Sequence, residues 1–245
     1  MSTSAWVRRL SSFATFSHDE LNLLEQLGGA SRQYATQDGL VKAGDPADRI
    51  FVVLEGLACQ FKLLPDGRRQ ILAYLFPGDM CDPRHLLAPR WNHAMCVLWP
   101  ARIAALTLES VQRLERYPNI AAAISRYSMM QQSIGREWLV NVGHRTAYER
   151  VSHLLCEFYT RLKAVGLTTD DSFELPLTQA ELGDTLALSA VHINRTLMEL
   201  RRLRIVTFLN RQAVIHDYGA LRAAAGFDPG YLQLDTEPGV PLGRD

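Results

Sequence analysis

The sequence lacks several features that would assign it to a common class of protein. It has no run of about 18 or more apolar residues, which disfavours a membrane span. Its first residues lack the basic-then-apolar order of a secretory signal peptide. We therefore expect a cytoplasmic protein without a membrane partner. The 26 basic and 26 acidic residues cancel, so any surface that binds nucleic acid must be local.

Cysteine is also scarce, and the catalytic signatures we sought are missing. The four cysteines include no CxxC pair, so in a reducing compartment we expect four free thiols. The chain contains no HExxH motif and no glycine loop of the type that cradles phosphate. It also has no H-x-H pair, which a cupin-type metalloenzyme built on a small jelly roll would need. The sequence therefore does not predict an enzyme.

What the first half does contain is a regular series of short strands and turns. Three glycines recur at intervals of eleven residues: Gly56, Gly67 and Gly78. Apolar runs lie between or beside them, at residues 50–54, 57–61 and 71–76. Strands of this length joined by glycine turns predict a β-sandwich or jelly roll. A capping box at Ser17 and Glu20 predicts a short helix before it.

A long helix is predicted to open at Pro118-Asn119. Apolar residues then follow the alternating four- and three-residue steps of a coiled-coil seam: Ile120, Ile124, Tyr127, Gln131, Ile134 and Trp138. Because the opposite face carries polar residues, we predict that this stripe packs against a second copy, with Gln131 helping to fix the register. The alternative is that the helix packs on its own domain.

The stretch from Pro176 to Leu200 predicts two short helices joined by a turn. Proline at 176 prevents a helix from continuing into this stretch from the preceding residues. Thr178 and Glu181 form a second capping box at the start of a helix over residues 179–186. Ser189 then caps a second helix. This spacing is typical of a helix-turn-helix, whose second helix enters the major groove of DNA.

Several residues of this unit are candidate DNA contacts. They are Thr178, Gln179, Ser189, Ala190, Val191, His192, Asn194, Arg195 and Arg211. Arg195 can place two N–H donors on guanine, whereas Ala190 and Val191 can make only apolar contacts, for example with thymine methyl groups. The Ser189 hydroxyl at a helix N-terminus suits a phosphate oxygen. Double-stranded DNA is therefore the predicted partner.

Local charge supports this assignment. Between Ser189 and Arg211 the chain has five arginines and one glutamate, in a protein of zero net charge. Two strands, predicted at residues 205–209 and 213–216, follow the second helix with a tight polar turn between them. They predict a wing with Arg211 at its tip.

Taken together, the glycine-spaced strands, the long helix and the capped helix-turn-helix resemble the Crp/Fnr family of bacterial transcription regulators. The resemblance covers about residues 17–216, and its strongest motif is LTQAELG at 177–183 followed by Ser189 and Arg195. It implies an α+β fold with a jelly-roll sensor, a homodimer, a palindromic operator and contact with RNA polymerase. The domains predicted are a sensor at 1–117, a dimerisation helix at 118–143, a winged helix-turn-helix domain at 144–226 and a loosely ordered tail at 227–245.

The sequence departs from the family where members that bind cyclic AMP hold the nucleotide. Asp82-Pro83 stands where those members have Gly-Glu, and about His93-Ala94 where they have an Arg followed by Ser or Thr. An acidic side chain there would repel a phosphate, so cyclic AMP binding is disfavoured. Arg84 or Arg90 are the alternative sources of an anion site. Directly after Ser189, Ala190-Val191 replaces the Arg-Glu pair of some members, so the operator need not match theirs.

The same half contains a group of possible ligands, spaced C-x3-H-x7-H-x2-C: Cys81, His85, His93 and Cys96. Two thiolates and two imidazoles can hold zinc, and one of them can ligate haem. Alternatives are a redox-reactive Cys81 and plain structural roles. The first cysteine is Cys59, so the N-terminal cysteine cluster of the iron–sulfur branch of the family is absent.

Overall fold

The computed structural model of the protein describes residues 3–81 and 83–234 of the chain. The N-terminal half contains α1 (Ala5–Ser11), α2 (His18–Gly29), β1 (Ser31–Tyr34), β2 (Gly39–Val41), β3 (Arg49–Leu63), β4 (Arg69–Leu75), a 3-10 helix (Pro83–Leu87), β5 (Ala94–Thr107) and α3 (Leu108–Glu115). The C-terminal half contains α4 (Pro118–His144), α5 (Ala147–Lys163), β6 (Ser172–Glu174), α6 (Gln179–Leu186), α7 (Ala190–Arg202), β7 (Val206–Leu209), β8 (Gln212–Ile215), α8 (Tyr218–Ala225) and a 3-10 helix (Pro229–Leu232). Among the described residues, no helix has the length and apolarity needed to cross a membrane.

The N-terminal strands form the predicted β-sandwich, which is confirmed. They pair antiparallel in the order β1-β5-β3-β4, and β2 also pairs with β5. The long strands β3 and β5 are the centre of this arrangement, and the side chains of Val52, Ala58 and Val97 are completely buried along them. Burial of this many apolar side chains is the main stabilising contribution to the sheet.

The region around Gly56 differs from the sequence prediction. We expected a turn at Glu55-Gly56 between two strands, but β3 runs straight through it while the pairing with β5 shifts register on either side. Gly56 has a φ of +82°, and a Cβ there would lie 2.2 Å from the carbonyl oxygen of Pro100. The glycine therefore forms a bulge within one long strand, because only glycine tolerates both the backbone angle and the close approach.

The predicted seam of helix α4 is where the structure departs most from the sequence prediction. The residues expected to face a second copy are packed inside the chain itself: Ile120, Ile124, Tyr127, Ile134 and Trp138 are all buried. Gln131, expected to fix the register between copies, instead donates to the Tyr127 hydroxyl at 2.7 Å. That hydroxyl also bonds the backbone of Met80 in the sensor half. The predicted seam is therefore an internal packing surface, as in the alternative we weighed.

The winged helix-turn-helix is present where the sequence predicted it, and this prediction is confirmed. Helix α6 starts after the capping residue Thr178, and α7 starts after the capping residue Ser189. Strands β7 and β8 form the wing, and β6 completes a three-stranded antiparallel sheet in the order β6-β8-β7.

A cluster of buried charges joins the two halves, and the sequence did not reveal it. Two acidic and two basic side chains meet with exposures of 0–1%: Arg9, Asp79, Glu157 and Arg161. Arg161 contacts Asp79 at 2.6 Å and Glu157 at 3.0 Å, while Arg9 Nε lies 3.2 Å from Asp79. Buried charges require such partners, since the desolvation of each ion is costly. The cluster therefore couples α1, the turn after β4 and α5.

The region after α8 also differs from expectation. We predicted a loosely ordered tail from residue 227, but Phe227 and Leu232 are buried. The Tyr231 hydroxyl donates to Glu157 at 2.9 Å, which attaches this segment to α5. The prediction is wrong for residues 227–234, because apolar burial and a hydrogen bond to a buried carboxylate order them. Residues 235–245 of the predicted tail lie outside the described part of the chain.

Candidate nucleic-acid interface and sensor site

Local interactions between residues close in sequence determine where helix α6 begins and how it turns into α7. The Thr178 hydroxyl accepts from the backbone of Glu181 at 3.1 Å, and the Glu181 carboxylate accepts from the backbone of Thr178 at 2.7 Å. These two bonds satisfy amides that a helix N-terminus would otherwise leave unpaired. At the other end, a Cβ on Gly183 would lie 2.5 Å from the carbonyl oxygen of Leu188. Glycine at this position therefore permits the tight turn into α7.

Helix α7 divides into a buried face and an exposed face. Ile193, Leu197 and Leu200 are buried and pack toward the rest of the domain. The outward side carries residues predicted to meet DNA: Ala190, Val191, His192, Asn194 and Arg195, all exposed. Met198 also lies on this side and is 65% exposed, and sequence analysis had not included it. Its position, seven residues after Val191 on a helix, was the available signal.

The N-terminus of α7 has a capping serine. The Ser189 hydroxyl accepts from the backbone of His192 at 3.3 Å and lies 3.0 Å from Nδ1 of the same histidine. The two predicted contacts at this end of the helix are therefore adjacent. Positive charge follows along the chain, since Arg195, Arg201 and Arg202 are exposed on α7.

At the wing tip, Arg211 contacts the sensor half of the same chain. Its guanidinium carbon lies 4.2 Å from the centre of the Trp99 ring in β5, a cation–π geometry. Arg211 itself remains exposed. In this structure the wing is therefore packed against the sensor sheet, which no local sequence pattern indicates.

Helix α6 also contacts the sensor sheet, at strand β4. The Tyr74 hydroxyl lies 2.6 Å from the Thr185 hydroxyl, and Gln70 donates to the backbone carbonyl of Thr185 at 3.0 Å. Arg69 forms an ion pair with Asp184 at 2.8 Å. The two residues of this helix predicted to contact DNA lie at its N-terminus, where Thr178 is exposed and Gln179 is half-buried. The helix-turn-helix is thus attached to strand β4 of the sensor sheet.

The cysteine and histidine motif of the sensor half is split between different surroundings. Cys81 is buried and its sulfur lies 3.4 Å from that of Met95, whereas Cys96 faces Cys59 on the neighbouring strand. The rings of His85 and His93 approach to 5.1 Å. Within residues 3–81 and 83–234, no three His, Cys, Asp or Glu side chains are placed to hold one metal ion. The motif therefore does not assemble as the zinc site that its spacing allowed.

The two arginines considered as an anion site are engaged elsewhere. With the Gln132 amide oriented to accept, its oxygen lies 2.6 Å from Arg84, and Arg90 donates to the backbone carbonyl of Gly44 at 2.7 Å. Pro83 is buried at the start of a 3-10 helix. Asp82, expected to repel a phosphate, lies outside the described residues.

Burial of His93 produces a testable pH dependence of stability. Burial disfavours the imidazolium and lowers the pKa of His93 to about 4, against about 6.5 in an unfolded chain. Between these values the unfolded chain binds the additional proton, so the free energy of unfolding should decrease as the pH falls from about 6.5 to about 4. His93→Phe should make this decrease shallower in urea titrations across that range.

A matched control separates the titration of His93 from the loss of a histidine as such. The control variant is His144→Phe, which removes an exposed histidine at the end of α4 and is compared with His93→Phe under the same conditions. An equal slope in the wild type and the His93 variant would contradict the argument. His153, whose pKa is lowered to about 3 by burial, contributes in the same direction in both proteins.

Comparisons with known proteins agree with this architecture. A family model described as a cyclic nucleotide-binding domain matches residues 31–116, and one described as a Crp-like helix-turn-helix domain matches residues 149–224. The chain is 27% identical over 207 residues to the nitrogen fixation regulation protein FixK of Bradyrhizobium diazoefficiens, covering 84% of this chain and 86% of that protein. It is 26% identical over 215 residues to the transcriptional activator protein FnrL of Cereibacter sphaeroides, covering 86% of each. The structure of FixK2 from Bradyrhizobium japonicum shares the fold, with a TM-score of 0.70 at 24% identity over 79% of this chain and 96% of that one.

Proposed function

The chain belongs to the Crp/Fnr family of bacterial transcription regulators, and from that premise we propose that it binds a palindromic operator as a homodimer. The observation that carries this proposal is the exposed face of α7, where a capped helix N-terminus presents Arg195 beside small and polar side chains. Such a helix has the dimensions and the donors needed to read the major groove. The protein would act in the cytoplasm, at promoter DNA, in contact with RNA polymerase.

The roles of the individual residues follow from their chemistry. Arg195 would donate to O6 and N7 of one guanine in each half-site, and Val191 would pack against a thymine methyl group. Ser189 and the N-terminus of α7 would hold a phosphate, with His192 beside them. Thr178, with Gln179, would contact the phosphate backbone from the N-terminus of α6, as the first helix of this motif does.

Arg195→Ala should reduce operator affinity and relax sequence preference at one base pair of each half-site. The expected loss is about 1–3 kcal/mol per half-site, because a bidentate contact with one base is removed. The operator would first be selected from a random DNA pool by the wild-type protein. Fluorescence anisotropy at fixed salt would then compare the selected site with each single-base variant.

Arg113→Ala provides the matched control, since Arg113 is an exposed arginine on α3, far from the helix-turn-helix in sequence. It should leave affinity and base preference unchanged. An Arg195 variant that weakens binding equally on all sequences would indicate a phosphate contact instead. Unchanged binding would mean that another surface reads the DNA.

We propose that the homodimer interface is formed by the exposed face of α4, and not by the face predicted from the sequence. The residues at alternating four- and three-residue steps on its exposed side are Ser125, Met129, Gln132, Arg136, Leu139 and Gly143. Met129 and Leu139 are 55% and 71% exposed, which is unusual for large apolar side chains on a helix. Dimerisation is typical of the family, and burial of these two side chains against a second copy would stabilise it.

The signal would be received in the jelly roll. A cavity of about 200 Å³ lies between β4 and α4, with Leu72, Met80, His85 and Gln131 among its walls. The described residues around it include no lysine or arginine. A neutral or weakly polar ligand therefore suits this cavity better than a cyclic nucleotide, whose phosphate needs a cation.

The domain limits proposed for these functions are 1–117 for the sensor, 118–143 for the dimer helix, 144–226 for DNA binding and 227–245 for the tail. In the arrangement described here the guanidinium of Arg211 packs on the Trp99 ring, and we propose that the wing exchanges this contact for one with a DNA phosphate. Release of the wing from the sensor sheet would therefore accompany DNA binding. A signal in the jelly roll could act by changing this contact.

A further inference from the structure

Two cysteines from neighbouring strands face each other across the sensor sheet. Cys59 of β3 and Cys96 of β5 are directly opposed partners in the antiparallel pairing, and their sulfurs are 3.7 Å apart. Opposed residues in antiparallel strands have Cα atoms about 4.5–5.5 Å apart, within the range that a disulfide spans. Closing the bond therefore requires movement of the sulfurs rather than of the strands.

The pair lies next to Tyr74, the residue of the sensor sheet that contacts the helix-turn-helix. Cys59 is the cross-strand partner of Tyr74 in β4, so the two side chains share a face. Tyr74 contacts Thr185 of α6 on that face, and the nearby Arg69 contacts Asp184. The thiols are consequently next to the contacts between the sensor and α6.

The two thiols are not equivalent. Cys59 is completely buried, whereas Cys96 is partly accessible to solvent. Donation by the Cys59 thiol lowers the pKa of Cys96, and Arg69 acts in the same direction. The same hydrogen bond, with burial, raises the pKa of Cys59. Cys96 is therefore the sulfur that an oxidant meets first, with a second thiol in place to resolve the product.

We propose that Cys59 and Cys96 form a reversible disulfide with each other when peroxide oxidises them, and that this oxidation weakens the attachment of α6 to the sensor sheet. Formation of the bond draws the two sulfurs from 3.7 Å to about 2.05 Å beside Tyr74, the cross-strand partner of Cys59, and this movement would shift the Tyr74 side chain. Tyr74 is fully buried and bonds the Thr185 hydroxyl at 2.6 Å, so its displacement acts directly on α6.

The chemistry balances with one equivalent of peroxide. The Cys96 thiolate attacks a peroxide oxygen, the O–O bond breaks, and the departing hydroxide takes up a proton to leave as water. The Cys59 thiol then loses its proton and attacks the sulfur of the resulting sulfenic acid. The S–O bond breaks, and the second oxygen leaves as water with that proton. Two thiols are thereby oxidised by two electrons, while peroxide is reduced to two molecules of water.

The test is to treat the full-length reduced protein with hydrogen peroxide and to locate disulfides by peptide mass spectrometry without reduction. We expect free thiols to fall from four to two, with a crosslink between the Cys59 and Cys96 peptides that a dithiol reductant removes. Amide hydrogen exchange in α6 should become faster by about threefold or more in the oxidised protein. Since both readouts are independent of DNA, they do not depend on the proposed function.

Matched variants make the test specific. The double variant Cys81→Ala with Cys156→Ala keeps the pair and should still form the crosslink and show faster exchange. Cys96→Ala should form no crosslink and no peroxide-dependent change in exchange. Oxidation of Cys96 to a sulfinic acid without a crosslink, or disulfides between chains, would overturn the proposal. So would a crosslink that leaves exchange in α6 unchanged.

Discussion

Replacing Leu139 with Glu is expected to give monomers and to reduce operator affinity by about a hundredfold or more. Leu139 is 71% exposed on the proposed dimer face of α4. In a homodimer each substituted side chain would lie near its symmetry mate, so two carboxylates would be buried together in an apolar seam. A monomer binds one half-site alone, so it loses the increase in affinity of about 10²–10⁴-fold that comes from linking two binding domains.

Light scattering after size exclusion at several protein concentrations would measure the oligomeric state, and anisotropy with the selected operator would measure affinity. Leu63→Glu is the matched control, because Leu63 is 65% exposed at the far end of β3. It should remain dimeric and bind normally. A dimeric Leu139 variant would place the interface elsewhere, for instance around the exposed Leu87.

The correction of the α4 seam shows what periodicity can and cannot establish. The helix has two stripes with the same alternating steps, and the stripe richer in large apolar residues packs within the chain. Spacing identifies a face that will be buried, but it does not identify the partner. The polar residues on the face opposite the predicted seam are also partly engaged inside the chain: Arg126 donates to the carbonyl of Phe13, and Glu137 pairs with Arg145 at 2.5 Å.

Features set by local chemistry were predictable, and long-range ones were not. The caps at Thr178 and Ser189 each involve residues three positions apart, so the sequence shows them directly. The opposition of Cys59 and Cys96 depends on the register between two strands, 37 residues apart. The attachment of Arg211 to Trp99 depends on the packing of two domains. No composition or spacing rule contains that information.

The buried charge cluster also joins residues that are far apart in sequence, and its disruption should have a large effect. Arg161→Met is expected to reduce the free energy of unfolding by about 3–5 kcal/mol, because Asp79 and Glu157 lose their shared partner in a site without water access. The loss includes the hydrogen bond from Arg161 to the carbonyl of Tyr74 at 3.0 Å. Urea unfolding followed by circular dichroism would measure it. Arg102→Met, which removes a pair with the largely exposed Glu55, should cost less than about 1 kcal/mol.

A double variant distinguishes the charge argument from simple loss of packing. In Arg161→Met the cluster retains two carboxylates and one arginine, whereas Arg161→Met with Glu157→Gln leaves Asp79 paired with Arg9 alone. If unpaired charge causes the loss, the double variant should be more stable than the single one by about 1 kcal/mol or more. Burial also raises the pKa of Glu157, so at low pH the single variant can take up a proton there, which removes the unpaired negative charge and part of the destabilisation. The difference in free energy of unfolding between Arg161→Met and the double variant should therefore decrease as the pH is lowered. If the loss in Arg161→Met depends neither on pH nor on the residue at position 157, it arises from packing instead.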